Sequence, residues 1–158
     1  MLFKQTRIGK NGRLFTIYKF RTIPAGKTQS NVWGSFLRKT KLDELPQIIN
    51  IIKGEMTWVG PRPDIPGYAD QLIGEDRIIL TVKPGITGLA SLKYRNEEGL
   101  LNQQLNPLQF NDEIIWPDKV RINKWYVKNK SFRLDCIIIF YTLIPLCFDV
   151  DAFCKKYN

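Results

Sequence analysis

The sequence predicts an α+β fold, mostly helical with a small antiparallel β-hairpin, and three observations predict it. β-rich alternation gathers near the start, around a turn signal at Lys10-Asn11-Gly12-Arg13. Helical patterns take over beyond Trp33, most clearly across Leu42–Ile52, Asp118–Lys128 and Phe132–Leu143. No repeat, low-complexity stretch or linker divides the 158 residues, so residues 1–158 read as a single domain. A chain of that length buries roughly 70% of its unfolded surface, enough for a real core.

The elements follow in order. Arg7-Ile8-Gly9 and Phe15–Arg21 (FTIYKFR) pair as a short hairpin, and Pro24–Asn31 is a polar loop. A short helix spans Trp33–Lys39. From Leu42 the apolar positions Leu42, Leu45, Ile48, Ile49 and Ile52 have helical spacing and predict one buried face. Pro46 fits only if that helix begins near Asp43, and Gly54 is its stop signal. Both Asp43 and Glu44 then fall in the first turn, where the macrodipole favours negative charge. Met56–Val59 is short and β-like, and Gly60–Pro66 (GPRPDIP) is stiffened by three prolines. Ile65–Leu80 is helical in part, Val82–Ala90 is a turn and a tight extended piece, and Glu97–Gln104 is a helix. Asn129-Lys130-Ser131 separates the last two helices, with Ser131 as N-cap.

Composition narrows the function. The chain carries 24 Lys and Arg against 15 Asp and Glu, a formal +9 that attracts polyanions. Nucleic acid, an anionic membrane face and a nucleotide-sugar all fit that field. No recognised DNA- or RNA-binding motif occurs, which sets nucleic acid aside. There is no histidine, so a Ser-His or Cys-His nucleophile is excluded within this chain. Acid–base or covalent chemistry must use carboxylates, Lys, Tyr or Cys. Cys136, Cys147 and Cys154 show no paired spacing, which argues against a disulfide framework or zinc site and for a reducing compartment. Cys136 and Cys147 read as small core residues. Lys4 follows Met1-Leu2-Phe3 at once, so no signal-peptide core is expected. The apolar run Cys136–Phe148 falls short of the ~20 residues that span a bilayer and reads as a buried or interfacial helix. Lys119, Arg121, Lys124, Lys128 and Lys130 interleave with Trp116, Trp125, Tyr126 and Phe132, which suits either a membrane interface or a solvated face.

The chemistry concentrates in Leu37–Pro63, LRKTKLDELPQIINIIKGEMTWVGPRP. Asp43 and Glu44 point about 100° apart on a helix, so they have different tasks. One presents an oxygen to an electrophilic phosphorus while the other holds a metal or a proton. Mg²⁺ suits such a site because it needs few protein ligands beside phosphate and water. Prolines on both sides of Arg62 hold its backbone, so its guanidinium fork is aimed at phosphate or a uracil edge with little entropy lost. Lys19 and Arg21 share a strand face and offer either a phosphate contact or a solvated surface. Lys83-Pro84-Gly85 and Gly88 bring backbone close to a ligand or to packed chain, and Arg95 is a lone cation.

Taken together, RIGKNGRLFTIYKFRTI, LRKTKLDELPQIINIIKGEMTWVGPRP, VKPGITGLASLKYRN and WYVKNKSFRLDCIIIFYTL resemble the bacterial sugar transferases, the monotopic polyprenyl-phosphate phosphoglycosyl transferases. The resemblance covers most of the chain, in the family's order. It implies transfer of a phosphosugar from a UDP-sugar to polyprenyl (undecaprenyl) phosphate, with release of UMP, at the start of surface-glycan synthesis. The expected location is the cytoplasmic face of the bacterial inner membrane, with helices at an anionic membrane surface and self-association left open. It implies a covalent phosphosugar on Asp43, which also contacts Mg²⁺, with Glu44 as catalytic partner. Arg38 would bind phosphate, Arg62 and Pro63 match the uridine-side loop, and Lys19 belongs to the same pocket; Arg95 falls in a segment of sugar or acceptor contacts. The family opens with an apolar re-entrant membrane helix and this chain starts after it. A truncated, non-catalytic remnant at the membrane surface is therefore the rival expectation.

Overall fold

A computed structural model describes residues 2–23, 32–144 and 148–156. Strands β1 (Leu2–Ile8) and β2 (Leu14–Phe20) form the expected antiparallel hairpin, with Phe3 opposite Lys19 and Ile8 opposite Leu14. Its tight connection places Asn11 (φ 58°) and Gly12 (φ 76°) in the left-handed region, which these two residue types tolerate best.

Helix α1 (Val32–Lys39) follows. Lys41, at φ 60°, interrupts the helical path, and the chain restarts as a 3₁₀ turn over Leu42–Gln47 that runs into α2 (Ile48–Ile52). Gly54 turns the chain out at φ 74°, the stop its sequence position signals. Strand β3 (Thr57–Val59) then pairs in parallel with β4 (Gly85–Thr87), a second small sheet whose pairing the sequence pattern does not reveal. Between them lie 3₁₀ turns at Ala69–Gln71 and Gly74–Thr81. Helices α3 (Leu89–Lys93), α4 (Glu97–Asn102) and α5 (Pro107–Phe110) lead through a π turn at Asn111–Ile115 into α6 (Trp116–Asn129). Helices α7 (Phe132–Leu143) and α8 (Val150–Lys156) close the fold. Ser131 caps α7 as expected, its Oγ accepting from the Leu134 N–H at 3.2 Å.

The main core joins Val59, Leu89, Ala90, Ile122, Tyr126, Leu134, Ile138, Val150 and Cys154. A smaller cluster of Ile8, Ala69, Ile79 and Leu80 lies under the hairpin and the 74–81 turn. The Tyr126 hydroxyl ties the layers together, its oxygen lying 2.7 Å from Asp135 Oδ1 and 3.2 Å from the Val59 carbonyl oxygen, which share its single O–H.

Two expectations are overturned. The first is the buried apolar face of Leu42–Ile52. Leu42, Leu45, Ile48, Ile49 and Ile52 are all exposed, while Asp43, Glu44, Gln47 and Asn50 are buried. The reason is the period: a 3₁₀ turn repeats every three residues, so Leu42 and Leu45 share one ridge and Glu44 and Gln47 another. Asn50, fully buried, continues the polar ridge inward; its Nδ2 donates to the Thr16 carbonyl of β2 at 2.7 Å and to Glu55 Oε2 at 2.8 Å. The second is Cys136, which is exposed; Cys154 is the buried thiol. Cys147 and the loop Pro24–Asn31 lie outside the described residues.

The basic helix resolves into neither expected alternative alone. Lys119 binds both oxygens of Glu97 at 2.7 Å, Arg121 pairs with Asp118 and Asp151, and Lys124 with Asp76. Those cations hold α6 to its neighbours.

Candidate active site

The site is built on the polar underside of the 42–47 turn, which lies against β2. Glu44 is its fixed point. Its side chain is only 6% exposed and both oxygens are taken. Lys19 Nζ reaches Oε1 from β2 at 3.1 Å, Arg62 donates one arm of its fork to Oε2 at 3.1 Å, and its other arm pairs with Oε1. Burial works against the charged carboxylate. The Arg62 guanidinium and then Lys19 outweigh it and hold Glu44 ionised, down to about 2. Lys19 in turn is lowered, first by burial and by Arg62, against the pull of Glu44.

Asp43 is the opposite case. It is buried, and its Oδ1 has no hydrogen-bond partner among the described residues. Burial, and next the Glu44 charge, push its carboxyl above the usual range, against Lys19 and Lys41. A buried carboxylate oxygen without a partner costs about 1–3 kcal/mol or more, so its persistence points to a missing partner. The two acids thus differ: both Glu44 oxygens are bound, whereas Asp43 Oδ1 has no partner among the described residues.

The Arg62 turn is held from two sides. Gly60 N–H donates to Thr87 O and Gly85 N–H to Pro61 O, both at 2.9 Å. The chains cross so closely that a Cβ on Gly60 would stand 2.7 Å from Lys83 O and 3.0 Å from Gly85 N. The glycines of the Lys83–Gly88 stretch therefore serve close approach to the Arg62 turn. From β1, Arg7 donates to Pro63 O at 3.4 Å and Ile8 N–H to Asp64 O at 2.9 Å. Pro63 itself is buried.

The structure brings Lys19, Asp43, Glu44, Arg62 and Pro63 together. Arg38 pairs instead with Glu98 of α4 at 2.8 Å. Arg95 caps the end of α7, donating to the Tyr141 carbonyl at 2.6 Å. Asp64 and Glu97 were not singled out from the sequence, yet both carry charge toward Arg62. For Asp64 the available signal was an acid two residues after a proline-fixed arginine.

Among the described residues no cluster of three or more His, Cys, Asp or Glu could hold a metal. The open Asp43 oxygen offers one carboxylate ligand, and both Glu44 oxygens are already bound. That donor set fits an ion that takes its other ligands from phosphate and water.

A family model described as bacterial sugar transferase matches residues 1–149. The chain is 35% identical over 153 residues to the uncharacterized sugar transferase EpsL of Bacillus subtilis (strain 168), an alignment covering 90% of this chain and 68% of that protein. It is 29% identical over 168 residues to the undecaprenyl-phosphate galactose phosphotransferase of Salmonella typhimurium, covering 89% of this chain and 32% of that one. It is 33% identical over 159 residues to the UDP-glucose:undecaprenyl-phosphate glucose-1-phosphate transferase of Escherichia coli (strain K12), covering 90% and 32%. The chain thus spans about two thirds of the first relative and about one third of the other two.

Proposed function

The chain belongs to the bacterial sugar transferase family, and we propose that it moves a phosphosugar from a UDP-sugar to polyprenyl phosphate in two displacements. An Asp43 oxygen attacks the phosphorus that bears the sugar. The bond to the bridging anhydride oxygen breaks, and that oxygen leaves on UMP. An oxygen of the polyprenyl phosphate then attacks the same phosphorus, the Asp43–phosphorus bond breaks, and the carboxylate returns. The observation that carries this reading is the contrast within the acid pair: Asp43 has an unpartnered oxygen, whereas Glu44 is bound on both oxygens.

Each neighbour has a share in these steps. Glu44 holds Lys19 and Arg62 in place as a cationic wall for the diphosphate. Arg62 keeps an edge toward solvent, its side chain 37% exposed, from which it can meet the phosphate or the uridine side. Asp43 would hold Mg²⁺, which when bound neutralises phosphate charge. Arg38 reaches a phosphate only by leaving Glu98, an exchange of one anion for another.

The acceptor lipid gives the exposed stripe a purpose. Leu42, Leu45, Ile48, Ile49 and Ile52 face outward on the segment whose other side carries Asp43 and Glu44, and α1 adds Val32, Trp33 and Phe36. With Arg38, Lys41 and Lys53 on the same two elements, this is the pattern of a surface lying on an anionic bilayer. We place it at the cytoplasmic face of the inner membrane. Among the described residues no helix is long and apolar enough to cross a membrane.

The test is the first half-reaction. Incubation with Mg²⁺ and a panel of UDP-glucose, UDP-galactose and UDP-N-acetylgalactosamine should release UMP and add one phosphosugar to the protein by intact mass. Absence of both across the panel, in protein shown to be folded, overturns the proposal and favours the non-catalytic reading.

A further inference from the structure

The buried side chains of α7 are Leu134 and Ile138, both in its first two turns. Beyond them Phe140 is 50% exposed and Leu143 76% exposed, so apolar burial holds the last turn weakly. Besides the stacking of Tyr141 on Phe148, polar bonds fasten it. Arg95 donates to the Tyr141 carbonyl at 2.6 Å, and the hydroxyl oxygens of Thr87 and Thr142 lie 2.7 Å apart. Thr142 has one hydroxyl hydrogen and gives it to the Ile138 carbonyl at 2.7 Å, so Thr87 is the donor between the two.

The connection runs on to the candidate site. The Thr87 carbonyl accepts from the Gly60 N–H, and Pro61 O from the Gly85 N–H, both at 2.9 Å. Gly88 stands so close to Gly60 O that a Cβ has no room between them, so β4 cannot shift without moving Gly60. Gly60 and Pro61 lead directly into Arg62, whose fork on Glu44 fixes a particular geometry. The prolines on both sides of Arg62 leave its backbone little slack to absorb a displaced turn.

Resting on the proposed function, we infer that Thr87 and Thr142 are positioning residues for Arg62. Their paired hydroxyls fasten the last turn of α7 to β4, and β4 fixes the turn that aims the guanidinium at a bound uridine nucleotide. They act through Arg62 and not on the ligand. The bond is partly buried, so removing its acceptor leaves the Thr87 hydroxyl without a partner and lets α7 and β4 part. Removing either hydroxyl breaks the same bond, so the two losses do not add.

The experiment measures calorimetric binding of UMP to wild type, Thr87→Val, Thr142→Val, the double variant and Thr142→Ser, at a temperature where thermal melts show each protein folded. Valine keeps the shape of threonine and drops the hydroxyl, whereas serine keeps the hydroxyl. The expected result is about fivefold weaker binding for either valine variant, no further loss in the double variant, and binding within about twofold of wild type for Thr142→Ser. In an Arg62→Ala background Thr142→Val should cost nothing more, because the group it positions is gone. Should valine unfold the protein, Thr142→Ala carries the same expectations. Unchanged binding in the valine variants overturns the inference. An undiminished loss in the Arg62→Ala background overturns it in favour of a general structural role, and a Thr142→Ser variant as weak as Thr142→Val overturns it by showing that the hydroxyl is not what matters. If wild type binds neither UMP nor any of the three UDP-sugars, the proposed function fails and the inference falls with it, an outcome distinct from the others.

Discussion

In α6 the side chains that face the core are Val120, Ile122, Asn123 and Tyr126, whereas on Leu42–Ile52 they are Asp43, Glu44, Pro46, Gln47 and Asn50, with leucines and isoleucines turned outward. One stretch buries chiefly apolar surface and sends most of its cations out to acidic partners. The other buries two acids and two amides beneath an exposed apolar stripe. Burial of apolar area stabilises a fold at roughly 25 cal/mol per Å², and burial of a charge costs free energy unless it is paired. The second stretch therefore gives up stability that the first provides. A sequence retains such an arrangement where the buried groups have work to do and the exposed ones meet something other than water.

The sharpest way to break that comparison is Asp43→Asn. The amide keeps the shape and removes the nucleophilic charge, so phosphosugar adduct formation should fall by at least about a thousandfold, a loss of roughly 4 kcal/mol of transition-state stabilisation. Because Asp43 is raised by burial and by Glu44, the neutral side chain should melt no lower than wild type. Near-normal adduct formation would remove Asp43 from the chemistry. Ile122→Ala is the control from the other region. Ile122 is fully buried, so its truncation should cost about 2–5 kcal/mol in denaturant unfolding while the surviving folded enzyme turns over normally. If Ile122→Ala were cheap and Asp43→Asn strongly destabilising, the assignment of roles to the two regions would be reversed.

Glu44 sharpens the contrast with Asp43. Its folded-state value, about 2, lies below the ordinary 4.5, so its ion pairs stabilise the fold fully above about 4.5. That stability is lost as pH falls through the window from about 4.5 to about 2. Glu44→Gln should accordingly melt several degrees below wild type at pH 7, with the two melting curves converging as pH approaches 2. A gap that stays constant with pH would mean that Glu44 acts by shape and not by charge.

The contrast also explains what could be read from the sequence. The hairpin was legible because Asn11-Gly12 is a turn with a mechanism, and α7 because Ser131 is a cap with one. The acid pair and its arginine were legible because carboxylates and a proline-fixed guanidinium are rare so close together. The direction of the 42–52 stripe was not, because Leu42, Leu45, Ile48, Ile49 and Ile52 satisfy a 3.6-residue period and a three-residue period almost equally. Pro46 was the clue to the tighter turn. The β3–β4 pairing was illegible for another reason: two three-residue strands carry no periodic signal, and only the glycines at 60, 85 and 88 marked that chains cross there. The protein partners of Arg38 and Arg95 were not legible either, because a cation's partner is set by the tertiary fold, which gives them Glu98 and the end of α7.

The smallest expected effect on stability tests the exposed stripe. Ile52 is 81% exposed, so Ile52→Glu removes little buried contact, whereas Leu45, 49% exposed, keeps about half of its surface against the protein and Leu45→Glu gives that up. Ile52→Glu should change unfolding free energy by less than about 0.5 kcal/mol, the usual range for surface substitutions, and Leu45→Glu by more. Together they place two anions on the face proposed to meet an anionic bilayer. Co-sedimentation of the double variant with phosphatidylglycerol-containing vesicles should drop severalfold, while adduct formation from soluble UDP-sugar stays near wild type, because Asp43 and Glu44 lie on the other side of the turn. A double variant that still binds the vesicles would leave the outward leucines and isoleucines without a membrane role. One that binds normally and also unfolds easily would show that the stripe is covered by protein, and that Leu42–Ile52 obeys the same rule as α6.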